Sequence, residues 1–215
     1  MQTTATPGRT VQRRDAHSNR RRILATARRE LREDPDASLD SISQAAGVAR
    51  RTLYGHFPSR HALIADLTQE AGHALRQACA GARTADADPV EALTRMVLAA
   101  WTVGDHYRVL IALGRRHQGE EEIRSTLAPA RAEAVATLRR GQREGVFADH
   151  FPAPVLAQAL EALMLALAEE NAACPWADPR GEAAATAFLV AAGVAPQRAA
   201  LQQEVIGRDR GAGAG

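Results

Sequence analysis

Residues 38–67, SLDSISQAAGVARRTLYGHFPSRHALIADL, constrain the fold more than any other part of the chain. Ser38 is a helix cap, and Leu39, Ile42 and Ala46 recur at helical spacing behind it. Gly47 supplies the positive-φ residue that a tight turn between two helices needs. The spacing predicts a second short helix over 49–56, a break at Pro58, and a third helix capped by Ser59. Ala45, Ala46 and Val48 are small enough for the first two helices to cross closely, and Leu53 and Phe57 can anchor the second one inward. This is the pattern of a helix–turn–helix, whose second helix fits the major groove of duplex DNA.

The rest of the chain reads as helical as well. Aromatic residues make up only 4% of it, Ile is rare, and Ala, Leu and Arg dominate, so strands are not expected and the fold class is all-α. Ile23, Leu24, Ala27 and Leu31 give a helix from Asn19 a narrow apolar stripe that ends before Asp34 and Pro35. Residues 1–18 are polar and lack that period, which predicts a flexible basic arm. Leu63, Leu67, Ala71, Ala74 and Leu75 carry the helix after Ser59 past Cys79. Beyond a TADADP loop, amphipathic segments follow at about 89–103, 105–117, 120–144, 153–173 and 179–192, with breaks at Gly104, Gly119, Gly145 and Pro175. A short helix after Pro196 and a disordered GAGAG terminus complete the expectation. The predicted organisation is an arm (1–18), a helix–turn–helix domain (19–67), a helical effector-binding and dimerisation domain (68–195) and a tail (196–215).

The net charge of +2 hides an asymmetry. Residues 1–60 hold 12 Arg against 6 Asp and Glu, or +6, whereas residues 61–215 hold 15 Arg against 19, or −4. The basic end is the expected polyanion face. No lysine occurs, so every fixed cation is a guanidinium able to make two-pronged contacts with phosphate or guanine, although genome composition alone accounts for such a bias. Two cysteines, Cys79 and Cys174, far apart in sequence, do not suggest a disulfide framework, and a reducing cytoplasm is expected. The most apolar segment, 155–168, is interrupted by Gln158 and Glu161, so neither export nor membrane spanning is expected.

With Leu53 and Phe57 turned inward, Arg50, Arg51, Thr52, Tyr54 and His56 are left for the outer surface. Arg50 and Arg51 are candidates for guanine O6/N7 or phosphate, Thr52 for a thymine methyl or phosphate, and Tyr54 and His56 for phosphate positioning. Ser59 and Arg60 open the next helix, whose free N–H groups and positive dipole end form a phosphate seat. Ser38 joins this set at the start of the preceding helix. A generic helical hairpin with solvating Arg residues is the bland alternative. The crowding of scarce Tyr and Phe into YGHF, beside two adjacent Arg, argues against it.

The string VARRTLYGHFPSRHAL, preceded by SISQAAG and RRRILATA, resembles the DNA-binding domain of the tetracycline-repressor (TetR) family over about residues 20–67. That family shows a glycine turn, a Thr-Leu-Tyr core, a His-Phe pair and Ser-Lys before the next helix. The resemblance implies a homodimeric repressor on a palindromic operator, with a C-terminal ligand domain that controls DNA affinity. It assigns phosphate and base roles to Arg51, Thr52, Tyr54, His56 and Arg60. The chain departs from the pattern at Ala49, where a Ser cap is common, at Arg28 and Glu30 in the first helix, at Pro35 in place of a frequent glycine, at Gly55, and at Arg60 in place of Lys.

The segment 153–173 is apolar nearly all round and needs cover on more than one side. With the Ala-rich segment that follows, it is expected to pair with a second copy through Leu156, Leu160, Leu163, Leu167 and Phe188, the alternative being a wholly internal core helix. Met96, Trp101, His106, Tyr107 and His117 are the candidates for an apolar pocket that takes a small apolar or amphipathic effector. No cofactor is expected. His61 and His73 share no metal-ligand spacing with other donors, and the run Glu120-Glu121-Glu122 reads as a helix start. A constitutive DNA-binding protein without an effector is one alternative. A small all-helical enzyme is another, but no glycine-rich phosphate loop, GxSxG, CxxC or HExxH supports it.

Overall fold

A computed structural model of the protein describes residues 7–82, 88–173, 178 and 180–202. These residues form eight helices in chain order: α1 (Pro7–Glu33), α2 (Leu39–Ala45), α3 (Arg50–His56), α4 (Arg60–Ala82), α5 (Pro89–Gln118), α6 (Glu120–Arg143), α7 (Ala153–Ala173) and α8 (Glu182–Ala191). A further helical stretch covers 196–202. Cys174, Pro175, most of the TADADP loop and the GAGAG terminus lie outside the described residues.

The helix boundaries follow local chemistry. In α2 the Ser38 hydroxyl accepts the Ser41 N–H at 3.0 Å, and Gly47 leaves the helix with φ +61°. The Ser59 hydroxyl accepts the Ala62 N–H at 3.1 Å and starts α4. Asp88 caps α5 ahead of Pro89, and Gly119 (φ +86°) separates α5 from α6. Gly145 (φ +69°) follows the end of α6.

Two boundaries differ from expectation. α1 begins at Pro7, not near Asn19, so residues 7–18 are helical where a flexible arm was predicted. Proline suits a first helical position because its missing N–H has no partner there anyway, and the run of Arg and Gln behind it is helix-compatible without any apolar stripe. Gly104 does not break the chain either, because α5 runs through it. A mid-helix glycine costs only about 1 kcal/mol, and burial of α5 along its length, at Leu93, Val97, Leu110 and Leu113, offsets that. α8 starts at Glu182, later than the predicted 179, with Gly181 at its cap in the left-handed region.

Ile23, Ala27 and Leu31 of α1, Ile42 of α2, Leu53 and Phe57 around α3, and Leu63, Ile64 and Leu67 of α4 form one core, each almost fully excluded from solvent. Tyr107, Leu110 and Leu113 of α5 belong to the same cluster. A second core joins α5, α6, α7 and α8 around Val90, Leu138, Leu156 and Leu189, and Ala199 of the last helical stretch closes it. α4 runs from one core towards the other. Its far half packs close on α6, where a side chain at Gly72 would collide with Thr126.

Candidate nucleic-acid interface and an internal cavity

α3 owes its attitude to two inward anchors, Leu53 and Phe57, and to the short turn from α2 in which the Val48 N–H donates to the Ser43 carbonyl at 3.0 Å. That places Arg50, Arg51 and Tyr54 on the exposed side, with Thr52 and His56 half-buried at its edges. Tyr54 is 44% exposed, unusual for a large ring with no covering partner. Ala49 caps α3 without a side-chain hydrogen bond. The outward surface is thus two adjacent guanidiniums, a phenol, an imidazole and a hydroxyl on a helix fixed from behind, the inventory that base edges and phosphates require.

Four of the predicted contacts are already engaged within the chain, Ser59 among them as the α4 cap. Arg50 pairs with Asp40 of α2, although both are exposed and such a pair is worth little. The Ser38 hydroxyl is occupied as the α2 cap, with Ser41 Oγ also 3.3 Å away. Arg60 departs most from expectation. Its guanidinium donates to the Pro35 carbonyl and, at 3.3 Å, to the Ala37 carbonyl, and it lies 3.1 Å from His117 Nε2. The link between α1 and α2 leaves those carbonyls open, and Arg60 satisfies them, so it braces the domain instead of reinforcing a phosphate seat.

Arginines also tie this domain to the rest of the molecule. Arg28 of α1 donates to Glu70 of α4 at 2.7 Å and to the Tyr107 hydroxyl of α5 at 2.9 Å, with its guanidinium 5.5 Å from the Tyr107 ring centre. Arg32 donates to the His106 carbonyl at 3.2 Å. Within the domain itself, Arg20 pairs with Asp66 and lies over the Phe57 ring. Arg28, an apolar position in the resembling family's pattern, is here the polar hinge pin between α1, α4 and α5. Only pairing its charge with Glu70, across a long sequence separation, could have signalled this.

A cavity of about 140 Å³ lies among α4, α5, α6 and α7. Its wall on α4 follows the helical period through Thr68, Ala71, Gly72, Leu75 and Cys79. Of the five predicted pocket residues, Met96 alone lines it. Trp101 is buried elsewhere, donating from Nε1 to the Asp178 carbonyl at 3.1 Å beneath Gly181, where any side chain would strike the indole. Tyr107 is held by Arg28, His106 is exposed with its ring against Tyr107, and His117 is exposed beside Arg60. Polar aromatic groups sit where a hydrogen-bond partner exists, and the cavity wall offers them few. Sequence reasoning missed Arg131 and Glu161, a two-pronged pair at 2.7 and 2.8 Å on the cavity wall. It also missed Cys79, whose thiol burial, followed by the nearby Glu133 charge, pushes up to about 11.

The expected dimer residues divide between the interior of the protomer and its edge. Leu156, Leu160 and Phe188 are buried within the protomer, and Leu163 and Leu167 pack on the same core. The outward face of α7 is Val155, Gln158, Ala159, Ala162 and Ala166, joined on α8 by Ala183, Ala187 and Val190. A helix apolar all round hides which stripe is inner, and the larger side chains took the inner one because they bury more area. Among the described residues no helix is long and apolar enough to cross a membrane, and no group of three or more His, Cys, Asp or Glu could hold a metal ion.

A fixed helix–turn–helix with a basic outer face, on an all-helical body with an internal cavity, defines a DNA-binding regulator. Residues 23–67 match the family model of "Bacterial regulatory proteins, tetR family". The match spans the helix–turn–helix, and the chain carrying it is a DNA-binding transcriptional regulator. Solved structures share the fold. A tetR family regulatory protein from Rhodococcus RHA1 has TM-score 0.69 at 19% identity, over 82% of this chain and 98% of that one. PfmR of Thermus thermophilus has TM-score 0.66 at 22% identity, over 80% and 98%. LfrR of Mycobacterium smegmatis, solved with proflavine, has TM-score 0.63 at 23% identity, over 81% and 95%. A search of curated protein sequences found no match.

Proposed function

We propose that this regulator is a ligand-responsive repressor that binds a palindromic operator as a homodimer in the cytoplasm. Arg51, Thr52, Tyr54 and His56 contact DNA, with Arg50 joining them when phosphate or guanine displaces Asp40. Ser59 offers the α4 N-terminus to a phosphate. The exposed, backed face of α3 carries this reading. The Val155–Ala166 face of α7 with Val190 of α8 supports the dimer, since small residues along it let a second copy approach closely. Dimerisation places the two copies of α3 about 34–36 Å apart, one turn of the duplex. The cavity supports ligand control over constitutive binding, and the Arg28, Arg32 and Arg60 contacts supply a route by which a change in α4 or α5 reaches α1 and α2.

The test is selection of genomic DNA fragments by the purified full chain, followed by sequencing. An inverted repeat whose half-sites lie a whole number of helical turns apart is expected. Retention of fragments without a shared symmetric motif would overturn the operator reading.

A further inference from the structure

The cavity wall carries charge only as a closed pair. Leu75, Met96, Val97, Ile111, Leu127 and Met164 give it an apolar surface. Its polar side chains are occupied. The Thr68 hydroxyl donates to the Ile64 carbonyl at 2.9 Å and accepts from Gln118 Nε2 at 3.3 Å. Thr126 Oγ1 accepts from Gln69 Nε2 at 3.2 Å. Arg131 directs Nε and Nη2 to Glu161, and Nη2 reaches the Arg124 carbonyl at 3.1 Å as well. Glu161 neutralises Arg131 and hydrogen-bonds it directly, and the Cys79 thiol stays protonated at neutral pH.

A charged guest would therefore shed its hydration without gaining a partner, or would break the Arg131–Glu161 pair and strand a half-buried charge. A neutral apolar guest pays neither cost and gains contact with hydrocarbon and thioether. Size narrows the class further: a dry apolar cavity of about 150 Å³ accommodates one benzene ring. We infer that the cavity takes an uncharged, compact apolar molecule of one ring, or a branched hydrocarbon of equal bulk, and excludes organic cations and carboxylates. The inference deepens the ligand-responsive reading, and rests on it for the biological role of the site.

The experiment compares toluene, benzoate and benzylammonium, alike in shape and different in charge, by calorimetry on the full chain. Saturable binding of toluene is expected, with both ions at least a hundredfold weaker. Glu161→Gln leaves the guanidinium unpaired and should tighten benzoate at least tenfold while toluene is unchanged. Ala100→Phe fills the cavity and should abolish toluene binding with the melting transition retained; Ala100→Leu serves if the larger ring prevents folding. Either ion matching toluene on the native chain, or no toluene binding at all, overturns the assignment. Release of DNA is measured separately. Toluene that binds without releasing DNA upholds the ligand class and defeats the ligand-responsive reading. A charged probe that binds as tightly as toluene and releases DNA does the reverse.

Discussion

Arg51 and Arg60 carry the same charge to opposite ends. Arg60 faces backbone carbonyls and His117, so Arg60→Ala should lower folding stability by about 1–3 kcal/mol, two hydrogen bonds' worth, in chemical denaturation. Arg51 and Tyr54 face solvent. Arg51→Ala and Tyr54→Ala should each weaken specific DNA binding by about 1–3 kcal/mol in fluorescence anisotropy, with stability and dimerisation intact. Cys79 gives a pH prediction. Its thiol titrates near 11 in the folded chain against 9.0 when free, so its contribution is fully present below 9.0 and is lost as pH rises through about 11. Denaturation curves should show the native chain losing roughly 2–3 kcal/mol more than Cys79→Ala over that interval. The contrast between these arginines was not legible in the sequence, because whether a guanidinium meets water or a carbonyl depends on distant loops. Leu53 and Phe57 were legible, because an apolar residue on a short polar helix has one direction to go.

Caps and turns are set by residues within four positions, and Ser38, Gly47, Ser59 and Gly119 fixed their helix ends as read. Gly104 misled because a glycine marks a break only when its backbone leaves the helical region. A methyl group at Gly104 would meet nothing, so Gly104→Ala should raise stability by about 1 kcal/mol in thermal denaturation, through lower unfolded-state entropy. A helix broken at that point would gain nothing from the change. Ala49→Ser supplies the missing cap of α3 and should add about 1 kcal/mol, seen as slower amide exchange across Arg50–His56. The cavity was misread at this same scale. His, Tyr and Trp were chosen for their chemistry, while the cavity follows the register of small residues, Ala71 and Gly72 on α4 and Ala100 on α5. Space arises where bulk is absent, a signal carried by period and not by residue type.

At the scale of the molecule, the proposed operator binding requires two basic domains held at a fixed spacing by a body of opposite net charge. In the proposed dimer the outward face of α7 does this, and Val155, 51% exposed in the single chain, lies on it. Val155→Arg should shift the protein to monomer in sedimentation and reduce operator affinity by more than tenfold, since each half-site then binds alone. The fold class and the helix–turn–helix were legible from composition and period. The inner and outer stripes of α7 were not, because both are apolar and only the packed core distinguishes them.

Hydroxyl-radical and methylation footprinting of the full chain on a selected genomic fragment tests the central claim most directly. Two protected major-groove segments on one face of the duplex, centred one helical turn apart and both lost with Arg51→Ala and Tyr54→Ala combined, is the predicted result. Protection that is continuous and unaffected by those substitutions, or no retention of any duplex at low salt, would contradict it.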